Sequence, residues 1–169
     1  MAQSEQESLP DRLTRFPIER YPVQHATTQF HLGSSLLHAG QIAPALDALA
    51  VARRVFDDVG MGLEAAKATV MLGVGLRSAG RLDEAASAFR DAGQELAGLD
   101  SPVEQGAAAY NLGLVLQDRG DGAGACAAWG RARELFLAAG YPAQAAAAAR
   151  DHGAALLTAG DVSAALPLL

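Results

Sequence analysis

The chain has 169 residues, of which 50% are hydrophobic, 19% charged and 5% aromatic, with 38 alanines, 18 glycines and a formal charge of −6. That apolar content excludes wholesale disorder, and the scarcity of strand-favouring residues argues against a β sandwich or barrel. The acidic balance disfavours nonspecific nucleic-acid binding, which needs a basic face to displace counterions.

In chain order, the stretch from Met1 to Leu13 lacks a basic region followed by an apolar one, so it does not read as a signal peptide. No window approaches the roughly 18 apolar residues of a membrane span. The single cysteine allows no intrachain disulfide. A soluble, cytoplasmic, mostly helical protein is expected. Residues 1–20 are expected to be a flexible segment, disordered over about the first ten positions. Phe16, Pro17 and Ile18 are expected to fold back as a makeshift cap, and Arg12, Arg15 and Arg20 to form a solvated basic cluster.

From residue 21 the sequence repeats itself every 40 residues, dividing it into 21–60, 61–100, 101–140 and an incomplete 141–169. Gly33, Gly73, Gly113 and Gly153 share one column, and Gly40, Gly80, Gly120 and Gly160 another. Leu36, Leu76, Leu116 and Leu156 recur in register, as do Ala45, Ala85, Ala125 and Ala165, and the bulky Leu49, Phe89, Trp129 and Leu169. Fixed self-similarity of this length predicts a solenoid, each unit burying its face on its neighbours.

Each unit reads as two helices. In the second copy the first helix is expected over Gly62 to Ala79, and the second over Leu82 to Gly98 with a buried stripe of Leu82, Ala85, Ala86, Phe89, Ala92 and Leu96. Ser101-Pro102-Val103-Glu104 has the pattern of a capping box. The glycines at 40, 80, 120 and 160 suit a left-handed residue ending a helix. Those at 33, 73, 113 and 153 fall inside helices, where each costs about 1 kcal/mol relative to alanine. Their expected role is to let the facing alanine, at 45, 85, 125 or 165, approach closely.

The columns Leu112-Gly113, Leu116, Gly120, Ala125, Trp129 and Ala132, with their counterparts Leu72-Gly73, Leu76, Gly80, Ala85, Phe89 and Ala92, resemble the tetratricopeptide-repeat signature. The usual unit has about 34 residues. The longer unit here resembles the variant of kinesin light chains, GoLoco-binding spindle scaffolds and many bacterial regulators, and Asn111-Leu112-Gly113 carries its "NLG" form. The equivalents of Asn111 are His31, Met71 and Asp151, a departure from the pattern. The resemblance implies an all-α, right-handed superhelical solenoid of antiparallel helix pairs, about three and a half to four repeats long. It also implies that the first helix of each pair, helix A, lines a concave groove.

Carried over by register, the groove residues are Phe30, Ser34, Lys67, Val70, Val74, Arg77, Tyr110, Asn111, Leu114, Gln117 and Arg150, with Thr27, His31, His38 and Asp118 among their neighbours. Phe30, Val70, Val74, Tyr110 and Leu114 are the expected apolar anchors. Lys67, Arg77, Asn111 and Arg150 are expected to hold backbone carbonyls or carboxylates. The expected role is a noncatalytic scaffold for a peptide or protein partner. The alternative is a regulatory or sensor domain of a larger bacterial transcription or signalling protein.

No cofactor, metal or membrane is expected. His31 and His38 lack the further ligands of a zinc site, and Asp151 and His152 point to different helix faces. His152 takes a column of leucines and is expected to pack, Cys126 is expected to be an inert thiol, and Gly120 to Gly124 form an inter-helix turn rather than a phosphate loop, expected to be the most mobile turn. Ala164, Ala165, Leu166, Leu168 and Leu169 form an apolar end. That end is expected either to continue into more chain or to be covered by another subunit, which would make the protein a homo-oligomer.

Overall fold

The computed structural model describes residues 8–168. Its elements are α1 (Leu9–Arg15), α2 (Pro22–His38), α3 (Ile42–Asp58), α4 (Gly62–Ser78), α5 (Leu82–Gly98), α6 (Pro102–Asp118), α7 (Gly122–Ala138), α8 (Pro142–Thr158) and α9 (Val162–Ala165), then a 3-10 turn at Leu166–Leu168. There is no strand among the described residues. The helices from α2 to α8 have 17 residues each, so the structural step is half the sequence period.

That half-step is set at the helix ends. Gly40, Gly60, Gly80, Gly120, Gly140 and Gly160 have φ between 73° and 84°, and Asp100 takes the equivalent place at 51°. After each, a backbone N–H returns to the carbonyl five residues earlier, as from Gln41 to Leu36 at 2.9 Å and from Tyr141 to Phe136 at 2.8 Å. This closes the orphan carbonyls of the helix end, and the left-handed residue it needs carries least strain as glycine. The sequence reading caught the glycines ending helix A but not Gly60, Gly140 and Asp100, which end the second helix, helix B.

At the starts, proline occupies the first turn of α2, α6 and α8. Asp121 and Asp161 cap α7 and α9 by accepting the N–H of Gly124 at 2.9 Å and of Ala164 at 3.0 Å. The capping box expected at Ser101 is not formed. Its Oγ instead donates back to the Leu99 carbonyl at 3.4 Å, and no side-chain bond caps the start of α6.

Successive helices pack as antiparallel pairs into a solenoid, with α2, α4, α6 and α8 as the A helices and α3, α5 and α7 as the B helices. The alanine column is fully buried at Ala45, Ala85, Ala125 and Ala165, as are Leu49 and Trp129, with Phe89 nearly so. The expected reason for the glycines in helix A needs correction. A methyl group on Gly33 would sit 2.5 Å from Leu49 Cγ, on Gly73 2.8 Å from the Phe89 ring, and on Gly113 2.5 Å from Trp129 Nε1. The glycines therefore make room chiefly for the bulky column, not for the alanines. Gly153 is buried in α8, and the bulky residue of its repeat, Leu169, lies outside the described residues.

Residues 1–7, most of the stretch expected to be disordered, also lie outside the described residues. The rest of the leading segment holds α1, which packs on α2. Ile18 rests on the first core cluster beside Ala26, Ala52, Val55 and Phe56, in keeping with the expected cap. His25 Nδ1 lies 2.9 Å from the Phe16 carbonyl. At the other end α9 makes one turn and gives way at Pro167, where Ala165 is buried but Val162 and Leu166 are 53% and 68% exposed.

Candidate functional site

Neighbouring A helices touch one another directly, α2 on α4 and α4 on α6, while open slots part the B helices. The A helices therefore form the inner wall of the curve. Between α2 and α4 that wall opens into an apolar cavity of about 270 Å³, lined by Thr27, Phe30, Phe56, Met61, Glu64 and Lys67. Of the residues singled out by sequence, Thr27, Phe30 and Lys67 converge here. Phe56, Met61 and Glu64 went unrecognised because they come from the end of α3, its following turn and the first turn of α4. The visible signal was a large residue just before an A helix, as at Tyr21, Met61 and Tyr141.

The remaining groove residues are more committed to the protein itself. Val70 and Val74 pack on the cluster around Phe89, and Tyr110 and Leu114 on the one around Trp129, so each is half-buried. Gln117 is exposed in the last turn of α6, away from the cavity. The Ser34 carbonyl lies 2.8 Å from His38 Nδ1 within α2. Asn111 donates its amide to the Ala107 carbonyl at 2.8 Å, one turn back.

The charged groups pair across repeats. Arg77 Nε donates to Asp118 Oδ2 at 2.6 Å, and the Tyr110 hydroxyl to Asp151 Oδ2 at 2.6 Å, both between residues 41 apart. Arg150 Nε donates to the other Asp151 oxygen at 3.0 Å, and Lys67 Nζ lies 3.7 Å from Glu104. Burial, and then the bond to Asp151, push the Tyr110 phenol above the usual tyrosine range, so it remains a donor. In the Arg77–Asp118 and Tyr110–Asp151 pairs a residue thus meets one that is a repeat and one further position along. From α4 to α8 the inner wall carries a lattice of its own polar contacts, whereas the α2–α4 step is open and apolar.

Among the described residues no group of three His, Cys, Asp or Glu side chains is placed to hold a metal ion. His31 is exposed and meets the Phe30 ring edge-on, with centroids 5.8 Å apart. Asp151 turns to Tyr110, while the buried His152 Nδ1 has no partner among the described residues. Burial raises the pKa of the Cys126 thiol, which favours its protonated form. The inter-helix turn is limited to Arg119–Asp121, and Gly122 to Gly124, expected to belong to it, form the first turn of α7 under the Asp121 cap. No described helix is long and apolar enough to cross a membrane.

No family model matches the chain, and neither does any curated protein. Solved structures do. Aspartyl phosphate phosphatase F from Bacillus subtilis superposes with a TM-score of 0.87 at 14% identity, over 95% of this chain and 42% of that one. The Rap conjugation gene regulator of the plasmid pLS20, in complex with the Phr* peptide, gives 0.71 at 22% identity, over 92% and 42%. A Podosopora anserina protein described as a kinesin light chain with nearly identical TPR-like repeats gives 0.68 at 14%, over 86% and 72%. The chain spans less than half the length of the first two. At such identities the likeness is one of fold, and in fold the chain is a tetratricopeptide-repeat solenoid.

Proposed function

We propose that the chain is a protein-interaction scaffold whose inner wall receives a peptide or helix, with one bulky apolar side chain of the partner seated beside Phe30. The cavity between α2 and α4 carries this reading, because it is apolar and opens on the wall beside polar groups that can orient a main chain. The peptide bound by the structurally similar conjugation regulator supports it. The interacting unit is the repeat region, residues 21–169, with the preceding segment, residues 1–20, outside it. Its work is binding rather than chemistry.

The experiment is affinity capture from the native cell with the wild type and with a Thr27→Arg, Phe30→Ser double variant, checked for helicity by circular dichroism. Loss of partners in a folded variant supports the inner wall, and equal recovery removes it. A second reading, a sensor or regulatory unit within a larger protein, is favoured by the overlay on only 42% of the phosphatase and of the conjugation regulator. The exposed Leu157, Val162 and Leu166 support self-association at the C-terminal end. Light scattering that stays monomeric across concentration would remove that property alone.

A further inference from the structure

The outer face carries a second recess, and the repeat supplies its own control. Between α5 and α7, with α6 as the base, lies a slot of about 300 Å³. Phe89, Leu112 and Leu135 give it an apolar floor, and Arg90 and Arg131 stand at its rims. One repeat earlier the corresponding slot, between α3 and α5, is lined by Arg53, Glu84, Ser87 and Asp91 among others.

Two column changes separate the slots. Asp91 and Arg131 share a column, so the rim changes sign. Arg53 and Gly93 share another. In the earlier slot Arg53 is tied down, with Nε donating to Thr69 Oγ1 at 3.0 Å and a terminal nitrogen 3.8 Å from Glu95. In the later one Gly93 leaves the space open, and Gln105 Nε2 reaches the bared Gly93 carbonyl at 3.3 Å.

Gly93 has no packing duty. A methyl group there would meet nothing within 4 Å, unlike one on Gly73 or Gly113. Yet it sits in the interior of α5, where glycine costs about 1 kcal/mol relative to alanine.

The charges point the same way. In a chain of net charge −6, no acidic residue lines this slot, whereas glutamate or aspartate lines the other recesses described. Among the described residues Arg90 has no hydrogen-bond or ion-pair partner. Arg131 meets only Glu134, at 3.6 Å, with both side chains more than half exposed, a pairing that an incoming carboxylate can displace.

We propose that this outer slot binds an acidic peptide segment of a protein partner. An aliphatic side chain of the segment lies on Phe89, Leu112 and Leu135. Flanking carboxylates meet Arg90 and Arg131, whose planar guanidinium groups suit paired hydrogen bonds. The site is separate from the inner wall and does not rest on the function proposed above.

The test is a two-dimensional amide NMR titration of the full chain with the probe peptide acetyl-Glu-Glu-Leu-Glu-Glu-amide. Its all-lysine counterpart, acetyl-Lys-Lys-Leu-Lys-Lys-amide, and decanoate serve as controls. Saturable shifts around Arg90, Gly93 and Arg131 with the acidic peptide, and none there with the basic one, are expected. Arg131→Asp and Gly93→Arg, each restoring the chemistry of the earlier slot at an exposed or open position, should weaken binding by about tenfold or more. Phe30→Ser should leave it unchanged. The proposal is overturned by shifts that avoid the slot, by equal binding of the basic peptide, by binding of decanoate alone, or by an Arg131→Asp variant of undiminished affinity.

Discussion

Along the inner wall, the step from α2 to α4 and the step from α6 to α8 use the same columns for opposite ends. Phe30 and Tyr110 share one column, and Met71 and Asp151 share the column that faces it one repeat on. At the later step a hydroxyl meets a carboxylate at 2.6 Å and the two helices are latched. At the earlier step both positions are apolar, and an open cavity remains. The backbone register is common to both. The Tyr110–Asp151 bond closes the later junction from within the chain, and the apolar pair of columns at the earlier one can make no such bond.

The largest expected effect comes from crowding the latched half. Gly113→Leu drives a side chain into the Trp129 indole and should cost about 1–3 kcal/mol. Trp129 is the single tryptophan, so the melting temperature and its emission report the same contact. If both stay unchanged, the glycine is not making room for the indole.

Acid should act on that half as well. His152 stands in the column of Leu32, Leu72 and Leu112, with its ring near Gly130 and its buried Nδ1 without a partner among the described residues. Burial, then the nearby Arg133, hold its pKa below the ordinary histidine value. The unfolded chain therefore takes up the proton first. The stability from keeping this ring neutral is complete above about pH 6.5 and is lost as the pH falls through that value towards the folded pKa. His152→Leu should flatten the pH dependence of the urea midpoint, and an unaltered profile would assign the acid sensitivity elsewhere.

Tyr110→Phe turns the latched junction into a likeness of the open one. It should cost about 1 kcal/mol, the ordinary net value of a hydrogen bond, read from denaturant unfolding. No loss would mean that packing alone holds α6 against α8.

The smallest effect carries the one-column comparison into the turns. Among the described residues Asp100 is the one non-glycine at positive φ, and its N–H reaches the Ala97 carbonyl at 3.5 Å against 2.9–3.1 Å at the glycine turns. Asp100→Gly should stabilise by about 0.5–1 kcal/mol. A drop in melting temperature would show that the aspartate contributes something the turn geometry does not reveal.

Much of this architecture was legible because a recurring column has the same physical cause in every copy. Gly80 and Gly120 announce left-handed helix ends, and Phe89 and Trp129 announce a core. Spacing alone could not say which residue fills the gap above Gly73. Ala85 and Phe89 lie one turn apart on the same stripe of α5, and only side-chain length decides between them. The serine at 101 looked like a cap because residue type was visible, whereas the turn of its hydroxyl back to Leu99 was not. The pairing of Arg77 with Asp118 and of Tyr110 with Asp151 escaped notice because it is offset by 41 residues while the sequence repeats at 40. That one-position displacement arises from how helices lean on each other, and no single-copy pattern contains it. The outer slot was visible in principle, as a sign change from Asp91 to Arg131 and a glycine in the column of Arg53 and Arg133.

The equal length of α2 to α8, joined by near-identical left-handed turns, also bears on how such a molecule can be rebuilt. A cut made at a turn that ends an A helix leaves ends with the same direction and hydrogen-bonding needs as at any other A-helix end. Blocks between Gly80 and Gly120 can be duplicated, deleted or exchanged with the backbone path preserved. Diversification then falls to the few side chains that latch or unlatch a seam.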